Sequence, residues 1–116
     1  ITGLDKLSKL KCLNLGKLSE NSKIEEIKGL EKLNKLEDLN LCKNKIGNII
    51  NLKYNLKLKN LNLSKNENIS IEGIKELTHL ETLDLGYTNR KELGEEIQLL
   101  TNLKELYLRS NEKISI

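Results

Sequence analysis

The spacing between leucine and isoleucine residues changes within each repeating segment of this chain. One stretch spaces them by three positions: Ile1, Leu4, Leu7, Leu10 and Leu13. Steps of three rotate by about −60° each around an α-helix, so no single apolar stripe survives four of them. The spacing then drops to two, at Leu13 and Leu15, and alternation of this kind marks a short strand with one buried face. The pattern predicts brief strands joined by tight return segments of extended, 3₁₀ or short helical type.

The motif LxxLxLxx occurs five times along the chain, and asparagine follows it in three of the five units. Its first leucines are Leu10, Leu36, Leu58, Leu80 and Leu103, at spacings of 26, 22, 22 and 23 residues. A period of this length is typical of stacked coils whose strands pair in parallel, about 4.8 Å apart. The predicted strands lie near 12–16, 38–42, 60–64, 82–86 and 105–109.

The motif resembles the leucine-rich repeat family, and the resemblance covers the whole chain. Residues 44–52 are similar to the 22-residue subclass of intracellular proteins, and residues 93–103 to a 23-residue subclass. The resemblance implies an α/β repeat solenoid, a right-handed superhelix with a short parallel β-sheet on its concave face and irregular, 3₁₀ or short helical segments on its convex side. It also implies that ligands bind on the concave face.

The ninth motif position is asparagine in three units, namely Asn44, Asn66 and Asn111. The chain turns inward there, and a short amide can both donate to and accept from buried backbone groups. We therefore predict that these side chains form a structural ladder between coils. Thr88 occupies the same position in the fourth unit and can supply part of that hydrogen bonding, whereas Leu18 in the first unit cannot.

Two places depart from the repeat. The first unit is longer than the others, and residues 16–21 are interpreted as an insertion that bulges from the coil. Asn55 stands where Leu77 and Leu100 stand in other units, and we expect Tyr54 or Leu56 to turn inward in its place. Residues 111–116 repeat 66–71 almost letter for letter, and the range 1–116 is interpreted as a single array cut from a longer one.

Composition and charge exclude several functional classes. The chain carries 20 basic and 17 acidic residues, interleaved, with only 3% aromatic residues, whereas a nucleic-acid interface usually concentrates lysines and adds aromatic stacking platforms. No apolar run exceeds two residues, so no membrane insertion is expected. Cys12 and Cys42 would lie roughly 13 Å apart along the strands, too far for a disulfide. They are predicted to be free thiols, which fits a reducing compartment.

The outward strand positions and the turns that follow them supply the candidate partner-binding residues. The predicted set is Asn40, Asn62, Asp84, Tyr87, Glu105, Tyr107, Arg109, Lys43 and Lys65. Tyrosine and arginine are frequent hot-spot residues at protein interfaces. Lys17, Lys43 and Lys65 form a lysine column that could either meet an acidic partner or serve only as a solvated face. His79 is expected in an exposed turn without a catalytic role.

The sequence therefore predicts a non-catalytic protein-interaction scaffold or regulatory module, in the cytoplasm or another intracellular compartment. No cofactor, metal, nucleic acid or small-molecule substrate is expected. Two alternatives stay open. One is a substrate-recognition segment of a larger enzyme, such as a kinase, a ubiquitin ligase or a phosphatase holoenzyme. The other is a segment of an extracellular receptor or adhesin.

Overall fold

A five-stranded parallel sheet orders the fold. The computed structural model describes residues 1–16, 23–111 and 114. Within these residues the strands are β1 (Cys12–Asn14), β2 (Asp38–Asn40), β3 (Asn60–Asn62), β4 (Thr82–Asp84) and β5 (Glu105–Tyr107), adjacent in chain order. The register pairs equivalent motif positions throughout, as in Leu13 with Leu39 and Leu39 with Leu61. The predicted solenoid with one parallel sheet is therefore confirmed.

Each strand is three residues long, so the predicted five-residue strands are wrong in extent. The reason is local and can be seen at the end of β2. The backbone N–H of Cys42 donates to the side-chain Oδ1 of Asn40 at 2.9 Å and is therefore unavailable to the neighbouring strand. After β1, β3 and β4 the corresponding backbone N–H likewise donates to the side-chain Oδ1 of the residue that ends the strand.

The interior is filled almost entirely by leucine and isoleucine. Leu39, Leu61 and Leu83, at the centres of the middle strands, are each at most 2% exposed. The equivalent Leu13 and Leu106 are only partly buried, because each has a neighbouring unit on one side alone within the described residues. Burial is thus supplied mainly by the stacking of one unit on the next.

The return segments explain the three-residue spacing of the sequence. In the part of the chain that the structure describes, they contain three 3₁₀ helices, at Ile50–Tyr54, Ile74–Glu76 and Glu96–Leu99. In a 3₁₀ helix residues i and i+3 lie above one another and are joined by a hydrogen bond. Leu77 accordingly donates its N–H to the Ile74 carbonyl at 3.0 Å, and Leu80 donates to Leu77 at 3.1 Å. A three-residue period therefore keeps the apolar side chains that follow it, such as Ile74, Leu77 and Leu80, on the core side.

The asparagine ladder is confirmed. Asn66 is fully buried; its Nδ2 donates to the carbonyls of Leu41 and Leu63 at 3.0 and 2.9 Å, and its Oδ1 accepts the N–H of Ile46 at 3.0 Å. Asn44 and Asn111 repeat this arrangement in their own units. Each amide thus joins its own turn to the preceding coil.

Thr88 replaces only part of this function. Its hydroxyl donates to the carbonyl of Leu85 at 2.7 Å, which is the bond within its own unit. The bond to the preceding unit comes instead from the backbone, because the N–H of Asn68 donates to the carbonyl of Thr88 at 2.9 Å. The side chains of Asn89 and Arg90 add further bonds to the third unit, donating to the Asn68 Oδ1 at 3.0 Å and to the Ile69 carbonyl at 3.1 Å.

The prediction that Tyr54 or Leu56 turns inward is wrong. Both are about half exposed, whereas Asn55 is fully buried. The Asn55 Nδ2 donates to the carbonyls of Leu30 and Leu33 in the preceding unit, at 3.0 and 3.2 Å. An amide can occupy the leucine position because carbonyls of the preceding turn are within its reach. The proposed insertion falls almost entirely on residues 17–22, which lie outside the described part of the chain, as do Lys17 and Leu18 of the first unit.

Candidate binding surface

The outward side chains of the sheet form one continuous face, which we call the concave face. Among the described residues, it comprises the third, fifth, seventh and eighth motif positions of the units. Asn40, Asn62, Asp84 and Tyr107 are the last residues of four neighbouring strands and lie in a single row across the sheet. Glu105 begins β5. Arg109, Lys43, Lys65 and Tyr87 follow in the turns. The structure therefore brings the predicted candidate residues onto one surface.

A hollow of about 450 Å³ lies over this face. Its lining includes side chains from all five strands, from Cys12 in β1 to Tyr107 in β5, which shows that the sheet face curves inward. A second hollow of about 350 Å³ lies beside Tyr87 and Arg109, with Gly86 between Ser64 and Arg109. Asp84 and Tyr107 line both hollows. The two hollows are therefore parts of one continuous groove.

The row of asparagines has a structural role that the sequence analysis missed. The Oδ1 atoms of Asn14, Asn40, Asn62 and Asp84 each accept the N–H of the residue two positions later, at 2.9–3.0 Å. This Asx turn fixes the side chain and ends the strand. The Nδ2 atoms of Asn40 and Asn62 have no partner among the described residues and are left as donors on the surface. Half of each side chain is thus committed to the fold and half is free for recognition.

Asp38 lies at the start of β2 within a small hydrogen-bonded group. Its carboxylate accepts from the Cys12 thiol at 3.1 Å and from the amide of Asn60. Both hydrogen bonds lower the pKa of Asp38 below its usual value, and the bond from Asn60 has the larger effect. The same bond to Asp38 raises the pKa of the Cys12 thiol. Asp38 is absent from the predicted set, although its place at an outward strand position could have included it.

A basic and aromatic group forms the opposite side of the face. The Lys65 ammonium lies 5.2 Å from the centre of the Tyr87 ring, within the range of a cation–π interaction. A hydrogen bond with Ser110, together with the positive charges of Arg109 and Lys65, lowers the pKa of Tyr87. Lys43, Lys65 and Tyr87 all adopt left-handed backbone conformations, with φ between 56° and 59°. This conformation places their side chains beside the ends of the strands.

Tyr107 occupies the fifth-unit position of the asparagine row. Its hydroxyl donates to a carboxylate oxygen of Glu105. That bond and the negative charge of Glu105 raise the pKa of Tyr107. Tyr107 is nevertheless 47% exposed, and its ring stands where it can contact a bound molecule.

The described residues include no constellation suited to metal binding: no three His, Cys, Asp or Glu side chains are grouped to hold an ion. His79 is exposed, as expected for a turn residue. Cys12 and Cys42 are both free. No helix in the described part of the chain is long and apolar enough to cross a membrane.

Solved structures with the same arrangement of coils show what this chain is similar to. An internalin, InlF, from Listeria monocytogenes shares 32% sequence identity over 95% of this chain, with a TM-score of 0.78. Internalin C2 from the same organism shares 33% identity over 83% of the chain, with a TM-score of 0.74. The chain is a leucine-rich repeat protein. The LRR ectodomain of the receptor kinase SOBIR1 from Arabidopsis thaliana shares 27% identity over 96% of the chain, with a TM-score of 0.70.

This leucine-rich repeat chain spans 31% of the InlF chain, 42% of the InlC2 chain and 61% of the SOBIR1 ectodomain. No protein-family model matches the sequence, and no curated protein matches it. The predicted intracellular subclass is not supported, because the similar structures include a receptor ectodomain.

Proposed function

We propose that this leucine-rich repeat chain is a non-catalytic module that binds a partner protein on its concave face. The observation that carries the proposal is the groove lined by all five strands, with Tyr107 and Arg109 at one end and the free amides of Asn40 and Asn62 in its middle. Aromatic and arginine side chains dominate binding energy at protein interfaces.

The rigidity of the face supports the same proposal. Asx turns hold Asn40, Asn62 and Asp84 in fixed orientations, and the asparagine ladder holds the turns themselves. Side chains that are already ordered lose little conformational entropy when a partner binds. A broad surface of this kind can therefore engage a protein without prior rearrangement.

A capture experiment tests this function with a matched control. Immobilised wild-type chain, Tyr107→Ala and Arg109→Ala are compared with Tyr54→Ala, and bound proteins are quantified by mass spectrometry. Tyr54 is a suitable control because it is 49% exposed, close to the 47% of Tyr107, but lies in a 3₁₀ helix on the return side. We expect at least one protein to bind wild type and Tyr54→Ala equally, and the two concave-face variants at least tenfold less. Equal capture by all four chains would contradict the proposal.

The compartment is a separate part of the proposal. The two free thiols, Cys12 and Cys42, favour a reducing intracellular compartment. The similarity to a receptor ectodomain favours the second possibility, an extracellular recognition segment. Fractionation of the native source, with the protein located by an antibody against this chain, distinguishes the two. Recovery in the cytosolic fraction supports the first, and recovery at the cell surface or in the medium supports the second.

A further inference from the structure

Charges on the concave face are sorted along the strand direction. The third and fifth motif positions carry three acidic side chains, Asp38, Asp84 and Glu105, and no basic one. The seventh and eighth positions carry Lys43, Lys65 and Arg109 and no acidic one among the described residues. We call these two sets the acidic stripe and the basic stripe. Every strand therefore runs from the acidic side of the face towards the basic side.

The neighbouring row of charges does not cancel this separation. At the second motif position lysine and glutamate alternate from unit to unit and pair with each other. Lys59 lies 3.6 Å from the Glu37 carboxylate, and Lys104 lies 3.3 Å from that of Glu81. The three lysines and two glutamates of this row leave a net charge of +1, which offsets only part of the −3 carried by the three carboxylates of the acidic stripe. The two stripes are then the main charges facing a molecule in the groove.

The two stripes lie mainly beside different parts of the groove. Asp38 and Asp84 line the larger hollow. Lys65 and Arg109 line the smaller hollow, which Asp84 also borders from the boundary between the two. The third and seventh motif positions are four residues apart, which is roughly 13 Å along a strand. A groove lined by fixed charges focuses their field on a bound group. A ligand in this groove therefore meets opposite fields at positions about 13 Å apart.

We propose that the concave face selects a protein segment of opposite polarity, with a lysine or arginine over the acidic stripe and a carboxylate in the hollow beside Lys65, Tyr87 and Arg109. The inference rests on the proposed function and specifies the chemistry of the partner. A polyanion such as a nucleic acid would be repelled by the acidic stripe, and a polycation by the basic stripe. A segment that carries one positive and one negative group can pair with both stripes. Charge complementarity of this type sets specificity and orientation more than affinity.

Two pairs of substitutions each remove two of the three charges of one stripe without disturbing the turns. Asp84→Asn keeps the Asx turn, since asparagine makes the same turn in β1, β2 and β3; it is combined with Asp38→Asn. Lys65→Asn suits the left-handed backbone at φ 59°, because asparagine tolerates this conformation better than most residues; it is combined with Arg109→Ser. The control pair is Lys35→Asn with Lys57→Asn, at exposed turn positions away from the face.

The probe is a displayed library of random twelve-residue peptides, selected against the wild-type chain. We expect the enriched peptides to carry a basic and an acidic residue about four positions apart. Each charge-removing pair should weaken their binding at least tenfold, and the control pair should change it less than twofold. In a further arm, the acidic residue of a selected peptide is changed to lysine, and binding should recover on Lys65→Glu with Arg109→Glu.

The outcomes separate this inference from the proposed function. Peptides that lose binding on Tyr107→Ala but show no charge pattern would overturn the inference and leave the concave face as a protein-binding surface. Peptides that tolerate every concave-face variant, or a library that yields no binder, would count against both. Peptides with only acidic or only basic residues would overturn the inference alone.

Discussion

Loss of the buried amide of Asn66 should measure how strongly the ladder holds the coils together. In Asn66→Ala, the carbonyl of Leu63 loses the one side-chain donor that it has among the described residues, and the N–H of Ile46 loses its acceptor. The carbonyl of Leu41 keeps a second donor, the amide of Asn44, at 3.1 Å. A buried polar group without a partner costs about 1–3 kcal/mol, and a lost hydrogen bond about 1 kcal/mol. Two orphaned groups and one lost bond therefore predict a loss of about 3–7 kcal/mol in the free energy of unfolding.

Threonine at the same position gives an internal calibration. Asn66→Thr should retain a bond to the carbonyl of Leu63, as Thr88 does to that of Leu85. Its expected cost is about 2–4 kcal/mol, because at most one buried group is left without a partner and the bond to the Leu41 carbonyl is lost. Asn34→Ala is the control, since Asn34 is exposed and such surface changes usually stay within about 0.5 kcal/mol.

Urea unfolding followed by circular dichroism measures these differences. The urea midpoint should be highest for wild type and Asn34→Ala, lower for Asn66→Thr and lowest for Asn66→Ala. The slope of the free energy of unfolding against urea concentration should not change. A loss below about 1 kcal/mol for Asn66→Ala, or equal losses for the threonine and alanine variants, would refute the interpretation that the buried hydrogen bonds of the ladder stabilise the stacked coils.

Three further predictions concern single side chains. Asn55→Leu should raise the free energy of unfolding by about 1 kcal/mol in urea titrations, because the Asn55 Oδ1 is buried without a partner among the described residues and leucine adds apolar burial. The gain exceeds the loss of the two Nδ2 bonds, since the carbonyls of Leu30 and Leu33 keep backbone N–H donors; a lower free energy of unfolding would contradict this. Hydrogen bonds lower the pKa of Asp38 in the fold, so its carboxylate stabilises the fold above about pH 4, and that contribution disappears as the pH falls further. Asp38→Asn should therefore make the urea midpoint decline less steeply between pH 5 and pH 2, roughly the range in which carboxylates titrate. The same substitution removes the group that raises the pKa of Cys12, so iodoacetamide should alkylate Cys12 faster near neutral pH. Ultraviolet titration should show Tyr87, whose pKa is lowered, ionising at a lower pH than Tyr107, whose pKa is raised. The reverse order would contradict the placement of Arg109 and Lys65 beside Tyr87 and of Glu105 beside Tyr107.

The repeat-level features were predictable from the sequence because they depend on local rules applied five times. Leucines two apart define a strand with one buried face, and leucines three apart fit a 3₁₀ turn. Asn44, Asn66 and Asn111 occupy the one position where the chain must turn inward, so their ladder followed from the motif. Thr88 was expected to do part of this work, and it does.

Other features depend on contacts that no repeat pattern contains. Asn55 breaks the leucine pattern, and its inward orientation is decided by carbonyls of the preceding unit. Glu96 is similar, because its carboxylate accepts the N–H groups of Gly73 and Lys75, more than 20 residues earlier in the chain. Alternation correctly placed Asn40 and Asn62 on the outer face. It could not show that one half of each amide is used by its own backbone.

The Asx turn at the fifth motif position has a consequence for how this surface can change over time. Asparagine in β3 and aspartate in β4 close the same turn through the same atom. The exchange of a single nitrogen for an oxygen therefore alters the electrostatic signature of the groove while leaving the scaffold untouched. Substitutions between asparagine and aspartate at the fifth motif position can therefore change partner preference one unit at a time, and none of them requires a compensating change in the core.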